Sequence, residues 1–371
     1  MPKSPETIHI AGAGIGGLAA AVALQRASLP VVVYEQAAEL DPIGAGLSLW
    51  PNAVLSLDAL GVASVRGATI PRGGGGLFRW DGAPLAIGDA EAIERRYDAP
   101  LVLVHRAELQ QALLEALAPD TVRVGERLEW FTQDEDQVSL RFADGSMDTG
   151  GLLIGADGLR SSVRAGLLGN DPPRDSGLVA YRAVVDFSEP DPVGEFWGAA
   201  GVFGVAPLSG GRVYWYATQR KKEERELDAV FAEWTSPIPE LLARTPREDV
   251  LRHPLHDRPP ARRWTEGRVA LLGDAAHPML PFLGQGACQA IEDAVSLADA
   301  LAEHGVGPEG LRAYERTRRK RAAMLVKRSR AAGRVAHLRA AWQRAVRDSL
   351  MRHTPDAMRY RQLDAALRMP G

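Results

Sequence analysis

Short apolar runs alternate with longer stretches of helical spacing along this chain. Thr7-Ile8-His9-Ile10-Ala11 is a compact run, residues 15–27 are Ala/Leu-rich at helical intervals, and Pro30-Val31-Val32-Val33-Tyr34-Glu35 is β-branched and ends on an acid. Short β-branched runs bounded by turn formers read as buried strands, and a 3.6-residue period reads as helix. The opening is therefore predicted as strand–helix–strand, with the right-handed crossover that parallel strands require. Residues 44–80 read as Gly-rich loops with a helix at 52–60, and 106–117 as an amphipathic helix. Residues 122–142 alternate, which predicts antiparallel strands around the Ala143-Asp144-Gly145 turn, and 151–155 read as another strand.

The texture changes over 176–220. Leu178-Val179-Ala180-Tyr181-Arg182 and Val213-Tyr214-Trp215-Tyr216 mix aromatic and β-branched residues and predict a separate, mostly antiparallel sheet, followed by a helix at 225–235. The buried-strand pattern returns at 268–273 and leads to a helix at 285–303. An Arg-rich helical stretch over 308–347 follows, with an interruption expected at Gly333. The expected architecture is an α/β nucleotide-binding domain made of 1–175 plus 260–335, an inserted sheet domain at 176–259, and a helical tail at 336–371.

Composition narrows the class. The chain has 371 residues, 46% hydrophobic and 25% charged, as in ordinary globular proteins. With 44 Lys+Arg against 47 Asp+Glu the net charge is −3, so there is no global basic field for nucleic acid. No apolar stretch is long enough for a transmembrane helix. Met1-Pro2-Lys3-Ser4-Pro5-Glu6 has no signal-peptide shape, so a cytoplasmic protein is expected. The single cysteine, Cys288, excludes an intrachain disulfide and a Cys-based zinc site; no metal is expected, and a buried small residue is the expected role of Cys288.

Gly12-Ala13-Gly14-Ile15-Gly16-Gly17 fits GxGxxG between the first strand and its helix. Gly12 allows the tight turn, Gly14 lets the backbone approach a pyrophosphate, and Gly17 lets helix and strand pack closely. The helix N-terminus then offers free N–H groups to phosphates. Glu35, about 20 residues on, can accept hydrogen bonds from ribose hydroxyls. This predicts a dinucleotide site without separating FAD from NAD. Gly155-Ala156-Asp157-Gly158-Leu159-Arg160-Ser161 reads either as a second cofactor segment or as an Asp-Gly turn with a helix cap at Ser161. Gly273-Asp274-Ala275-Ala276-His277-Pro278, running on through Pro281 to Gly284-Gln285-Gly286-Ala287, ends a strand on an acid and begins a helix. The acid can bind a ribityl or ribose hydroxyl, and the helix end can stabilise negative charge on a reduced flavin ring.

Together these segments resemble the class A FAD-dependent aromatic monooxygenases, which include salicylate hydroxylase-like, urate hydroxylase-like and zeaxanthin epoxidase-like proteins. Residues 44–53, the His105-Arg106-Ala107-Glu108-Leu109 stretch and Val179-Ala180-Tyr181-Arg182 resemble the same family, in the same order, from residue 7 to about 335. The resemblance implies a Rossmann-like FAD-binding domain of the GR2 type with non-covalent FAD, and NADH or NADPH bound transiently without a domain of its own. It implies a cofactor site of Gly12, Gly14, Ile15, Gly16, Gly17, Glu35, Gln36, Gly46, Arg106, Asp157, Gly273, Asp274, Pro281, Gly284, Gln285, Gly286 and Ala287. Within that site Glu35 would hold the adenosine ribose, Arg106 the pyrophosphate and Asp274 the ribityl chain. Asp157 is expected to be more structural than contacting, and Pro281 would lie where oxygen adds to the flavin. The implied activity is hydroxylation of a small aromatic or heteroaromatic compound with NAD(P)H and O₂ through a flavin C4a-hydroperoxide.

Substrate contacts are expected among Arg182, Tyr214, Tyr216 and Phe282. Arg182 reads either as a partner of a substrate carboxylate or phenolate, or as a sheet-edge arginine in a salt bridge. Tyr214 and Tyr216 share one face of a strand and Trp215 takes the other. His277 reads as structural or flavin-positioning in preference to a general base. The stretch from Arg312 to Arg347 holds thirteen Lys/Arg and one acid, Glu315, and reads as a solvated helix face, with an anionic-membrane or partner surface as the alternative. Alternative functions are modification of a polyketide or antibiotic, a flavin-dependent reductase, and a non-catalytic flavin sensor. The Trp-x-Trp-x-Ile-Pro motif of flavin halogenases is absent, since Arg79-Trp80-Asp81 does not match it. A monomer or homodimer is expected.

Overall fold

The computed structural model describes residues 7–40, 46–62, the backbone of 68–69, and 75–368. Gly44 and Ala45 of the 44–53 segment lie outside the described residues.

A six-stranded sheet organises the larger part of the core. Its order is Thr265–Glu266, Val269–Leu271, Leu152–Gly155, Ile8–Ala11, Val31–Tyr34, Val122–Arg123. All pairs are parallel except the first. Ile8–Ala11 and Leu152–Gly155 are buried along their whole length, as central parallel strands covered on both faces must be. Helix Ile15–Arg26 makes the crossover and packs on helix Gly286–His304, which packs in turn on Pro308–Ala336. Val122–Arg123 joins this parallel sheet. The expected antiparallel hairpin is shorter, Val138–Phe142 with Met147–Gly150 around the 143–145 turn, and Leu128–Gln133 flanks it.

The second sheet has seven strands, in the order Leu251–Asp257, Arg174–Asp186, Arg212–Arg220, Val202–Leu208, Val193–Trp197, Gly75–Arg79, Pro84–Ile87. It reaches beyond 176–259, because Gly75–Arg79 pairs in parallel with Val193–Trp197. One face buries Val179, Tyr181, Phe203 and Trp215 under Phe231, Trp234 and Leu241. The helix expected at 225–235 is only Leu227–Phe231. A second helix, Ile238–Arg244, was not expected; it begins beside Pro237 and Pro239, where a missing N–H costs nothing.

The Arg-rich helix does not break at Gly333. It runs from Pro308 to Ala336, and the chain turns at 337–340 before helices Ala341–His353 and Asp356–Leu367. A Cβ on Gly333 would stand 2.5 Å from the Phe282 ring, so this glycine serves close approach. No helix among the described residues is long and apolar enough to cross a membrane.

Candidate cofactor and active site

The three glycine-bearing segments converge at the carboxyl ends of adjacent parallel strands, where open α/β sheets bind ligands. Gly12 has φ +102°, and a Cβ there would meet the Ala156 carbonyl oxygen at 2.6 Å, so the first two turns touch. Arg164 Nη1 donates to the carbonyls of Ala275 at 2.9 Å and Ala276 at 3.2 Å, tying the second segment to the third. A Cβ on Gly16 would meet Leu272 at 2.9 Å and Ala290 at 3.1 Å, so this glycine lets the first and third segments' helices approach. Gly17 is closed as well: its Cβ would lie 1.9 Å from the Gly12 oxygen. Ile15 points into the core.

Gly14 differs. It caps helix Ile15–Arg26 with φ −70° and ψ 176°, and a Cβ would meet nothing within 4 Å. Gly286, the first residue of helix Gly286–His304, is open in the same way. Two helix N-termini with free N–H groups thus face unfilled space, the arrangement that anionic groups seek. Glu35 stands at the end of Val31–Tyr34; Oε2 accepts from Ala13 N–H and Oε1 from Ala37 N–H, both at 2.9 Å, and Gln36 beside it is exposed. Arg106 begins helix Arg106–Glu115 and makes no ion pair among the described residues. Its charge reaches Asp274, whose surface is open to solvent; enclosure by the surrounding protein raises the Asp274 pKa, while His277 and Arg106 pull it down. The residues fit a dinucleotide: a phosphate approach at Gly14, an unneutralised arginine, and carboxylates at two strand ends.

Asp157 serves a structural purpose with one oxygen. Its Oδ2 accepts from Ser162 N–H at 2.7 Å, from the Ser162 hydroxyl at 3.0 Å and from Val163 N–H at 3.2 Å, while Ser161 accepts from Arg164 N–H. Helix Ser162–Leu168 is doubly capped, as the Asp-Gly-turn reading expects.

The Pro281–Leu283 turn exposes Pro281 and ends on Gly284, φ +60°, whose Cβ would meet Trp50 Nε1 at 2.9 Å. Leu280 and Phe282 pack on Leu178, Ala180 and Leu255, so the turn meets the second sheet on the face away from Trp215. On that face Tyr214 lies over Gly46, where a Cβ would be 2.5 Å from the ring, and Tyr214 and Tyr216 have ring centroids 5.8 Å apart. Arg182 stands opposite Tyr216 in register. It is not at the sheet edge, and it has no acid partner among the described residues, so the salt-bridge reading does not hold. Gln285 is buried, its Oε1 accepting from Asn52 Nδ2 at 3.1 Å and Gln289 Nε2 at 3.0 Å, and Ala287 is half-buried in the first turn of the helix. Cys288 is buried one turn into the helix, its thiol pKa pushed up to about 12 by burial. An open cleft of about 1000 Å³ on the opposite face of this sheet, lined by Tyr181, Trp215 and Glu224, lies away from all three glycine turns.

Two contacts had no legible local signal, the one that His277 makes and the one that Glu195 makes. His277 is buried with Nε2 2.5 Å from Asp293 Oδ2, which also accepts from Gly273 N–H at 3.1 Å. Asp293 Oδ1 accepts from Arg318 Nε at 2.7 Å, and Arg318 also binds Glu292 and Gln289. Glu195 lies on the same sheet face as Tyr216, which donates to its Oε2 at 2.5 Å.

An FAD binding domain family model matches residues 6–329. The chain is 40% identical over 362 residues to an aurachin C monooxygenase/isomerase of Stigmatella aurantiaca, covering 94% of each chain. It is 35% identical to an FAD-dependent urate hydroxylase of Klebsiella pneumoniae, covering 91% of this chain and 94% of that one. The crystal structure of Klebsiella pneumoniae HpxO complexed with FAD and uric acid superposes with a TM-score of 0.90 at 31% identity, covering 98% and 97% of the two chains.

Proposed function

This chain belongs to the FAD-dependent aromatic monooxygenases, and on that premise we propose that it holds FAD across the three glycine turns and hydroxylates an aromatic or heteroaromatic ring held against the Arg182–Tyr214–Tyr216 face. The observation that carries this assignment of sites is the contact of the Pro281–Leu283 turn with that face, through Leu280 and Phe282. Bound FAD supplies electron transfer from NADH or NADPH to O₂ and the activated oxygen that the substrate takes up.

The chain's residues bind, orient and exclude water. Gly14 admits the pyrophosphate to the helix N-terminus, and Arg106 pairs with it in the fork geometry that suits phosphate. Glu35 accepts from ribose hydroxyls, giving up its bond to Ala13 N–H or sharing that oxygen. Asp274 accepts from the ribityl chain. Gly284, Gln285, Gly286 and Ala287 lie beside the ring system, where the N-terminus of helix Gly286–His304 stabilises negative charge. Phe282, Tyr214 and Tyr216 wall the reaction space, which must stay dry to prevent loss of activated oxygen to water.

The test is the rate at which NADH and NADPH bleach the bound flavin under anaerobic conditions, with and without phenolic acids, purines, quinolones and polyketides. The proposal expects at least one ring compound to accelerate reduction. Asp274→Ala should lower FAD affinity about 10-fold through a lost charged hydrogen bond. Normal FAD affinity in that variant would remove Asp274 from the site.

A further inference from the structure

Four neighbouring strands bring a single row of residues into lateral register. Arg182 stands opposite Tyr216, Tyr216 opposite Gly204, and Gly204 opposite Glu195. Laterally paired residues project from the same face. This is the face on which Ala180 and Leu178, two and four residues before Arg182, meet the Pro281–Leu283 turn. The glycine in the row has a purpose: a Cβ on Gly204 would sit 2.1 Å from the Tyr216 ring. Its absence lets the tyrosine lie across the neighbouring strand and carry its hydroxyl to Glu195.

Glu195 is held in an unusual state of pairing. Tyr216 donates to Oε2 at 2.5 Å and the Trp197 indole N–H donates to Oε1. Donors on both oxygens are the pattern of an ionised carboxylate, which only accepts and has further lone pairs to fill. No Lys, Arg or His lies at ion-pair distance from Glu195 among the described residues. Burial outweighs these two donors and holds its pKa above the ordinary carboxylate value. At the other end of the row Arg182 likewise has no acid partner among the described residues; its field opposes the burial that raises the pKa values of Tyr214 and Tyr216 and adds to the burial that lowers that of His253. Three strand spacings separate the backbones of the two charges, about 14 Å. Charges enclosed in protein without an opposite charge are costly, and both residues are half-buried.

We propose that Glu195 and Arg182 are the two polar anchors of the substrate. They select a ring carrying a hydrogen-bond donor, such as a ring N–H or amine, on one edge and a carbonyl or anionic oxygen on the other. The substrate class is thus an oxo- or carboxyl-bearing nitrogen aromatic. Glu195 accepts from the donor edge, Arg182 donates to the oxygen edge, and Tyr216 fixes the carboxylate between them. This inference rests on the proposed function, because it takes this face as the roof over the flavin.

The test uses FAD-loaded protein and reads dissociation constants from perturbation of the flavin spectrum. The probes are matched pairs: 4-quinolone with N-methyl-4-quinolone, 2-pyridone with N-methyl-2-pyridone, and 3-aminobenzoate with 3-dimethylaminobenzoate. In the wild type at least one donor-bearing member should bind ~10-fold or more tightly than its methylated partner, the worth of a hydrogen bond to a charged group. Glu195→Gln should reduce that ratio to within about 3-fold. Arg182→Gln should weaken both members of the pair and leave their ratio in place. FAD content monitors folding. If Glu195→Gln loses FAD, Tyr216→Phe serves instead; it strips one donor from the carboxylate and should widen the ratio. No preference in any pair, or a ratio unchanged in Glu195→Gln or Tyr216→Phe, overturns the inference. These readouts need no turnover, so they fail independently of oxygen insertion, whose absence would instead defeat the proposed function.

Discussion

Arg318 and Asp293 form a fully buried ion pair, Nε to Oδ1 at 2.7 Å, that fastens the Arg-rich helix to the underside of the Gly273 turn. The guanidinium also reaches Glu292 and the Gln289 side chain, and Glu292 in turn accepts from Arg321 at 3.0 Å and from Asn52. The network ends at Gln285, the residue that caps the helix facing the proposed flavin ring. Removing one partner of such a pair leaves buried charge uncompensated. Arg318→Ala should therefore destabilise the protein by about 3–5 kcal/mol. Urea unfolding measures this, and a loss under about 1 kcal/mol would show that the carboxylates find other partners.

Gly14 and Gly17 make opposite demands on an added methyl group. Gly14→Ala places the methyl in open space at a backbone conformation any residue adopts, so the unliganded fold should keep its unfolding temperature. The methyl intrudes where the pyrophosphate is proposed to approach, so FAD affinity should fall ~10-fold or more. Gly17→Ala puts the methyl 1.9 Å from the Gly12 oxygen, so the helix must shift and the variant should lose several kcal/mol of stability, on the order of an overpacked core. Thermal unfolding without FAD, paired with FAD titration, separates the two effects. Equal losses of stability in both variants would contradict the assignment.

His337 gives the fold an acid limit. Its Nδ1 lies 2.9 Å from the Gly333 carbonyl, which can only accept, so Nδ1 carries the proton and Nε2 accepts from the Thr218 hydroxyl at 3.0 Å. Burial, helped by the charges of Arg220 and Arg347, pushes its pKa down from 6.5 to about 4. The unfolded chain therefore binds a proton near pH 6.5 that the folded chain refuses until about pH 4. Its contribution is complete above pH 6.5 and is lost as pH falls from about 6.5 to 4, by about 3 kcal/mol at most. In His337→Asn the unfolding free energy should depend less steeply on pH across that window. An unchanged slope would show that other groups set the acid limit.

The sequence made the nucleotide fold legible because its signals are local. Ile8–Ala11, Ile15–Arg26 and Val31–Tyr34 fall within a residue or so of the expected elements, since a buried parallel strand and an Ala/Leu-rich helix declare themselves by composition. Long-range features did not. Gly75–Arg79 joins the second sheet by pairing with Val193–Trp197, more than a hundred residues away, and no periodicity encodes that pairing. Gly333 looked like a helix breaker, yet it is the place where Phe282 presses on the helix. Arg318 looked like one more solvated charge in a basic run; it turned out to be buried because Asp293 and Glu292 approach from another helix. Glu195 stood in an ordinary strand pattern, and only lateral register with Tyr216 across Gly204 gives it a place in the proposed pocket.

In the proposed function, one oxygen atom from O₂ is delivered to a ring held between the Pro281–Leu283 turn and the Arg182–Tyr216 face. The most direct measurement is turnover of FAD-loaded protein with NADH or NADPH under ¹⁸O₂, across phenolic acids, purines, quinolones and polyketides, with products read by mass spectrometry. The account predicts a ring compound that accelerates NAD(P)H oxidation and gains a single ¹⁸O atom. Consumption of NAD(P)H with all oxygen recovered as hydrogen peroxide, and no compound labelled, would contradict it.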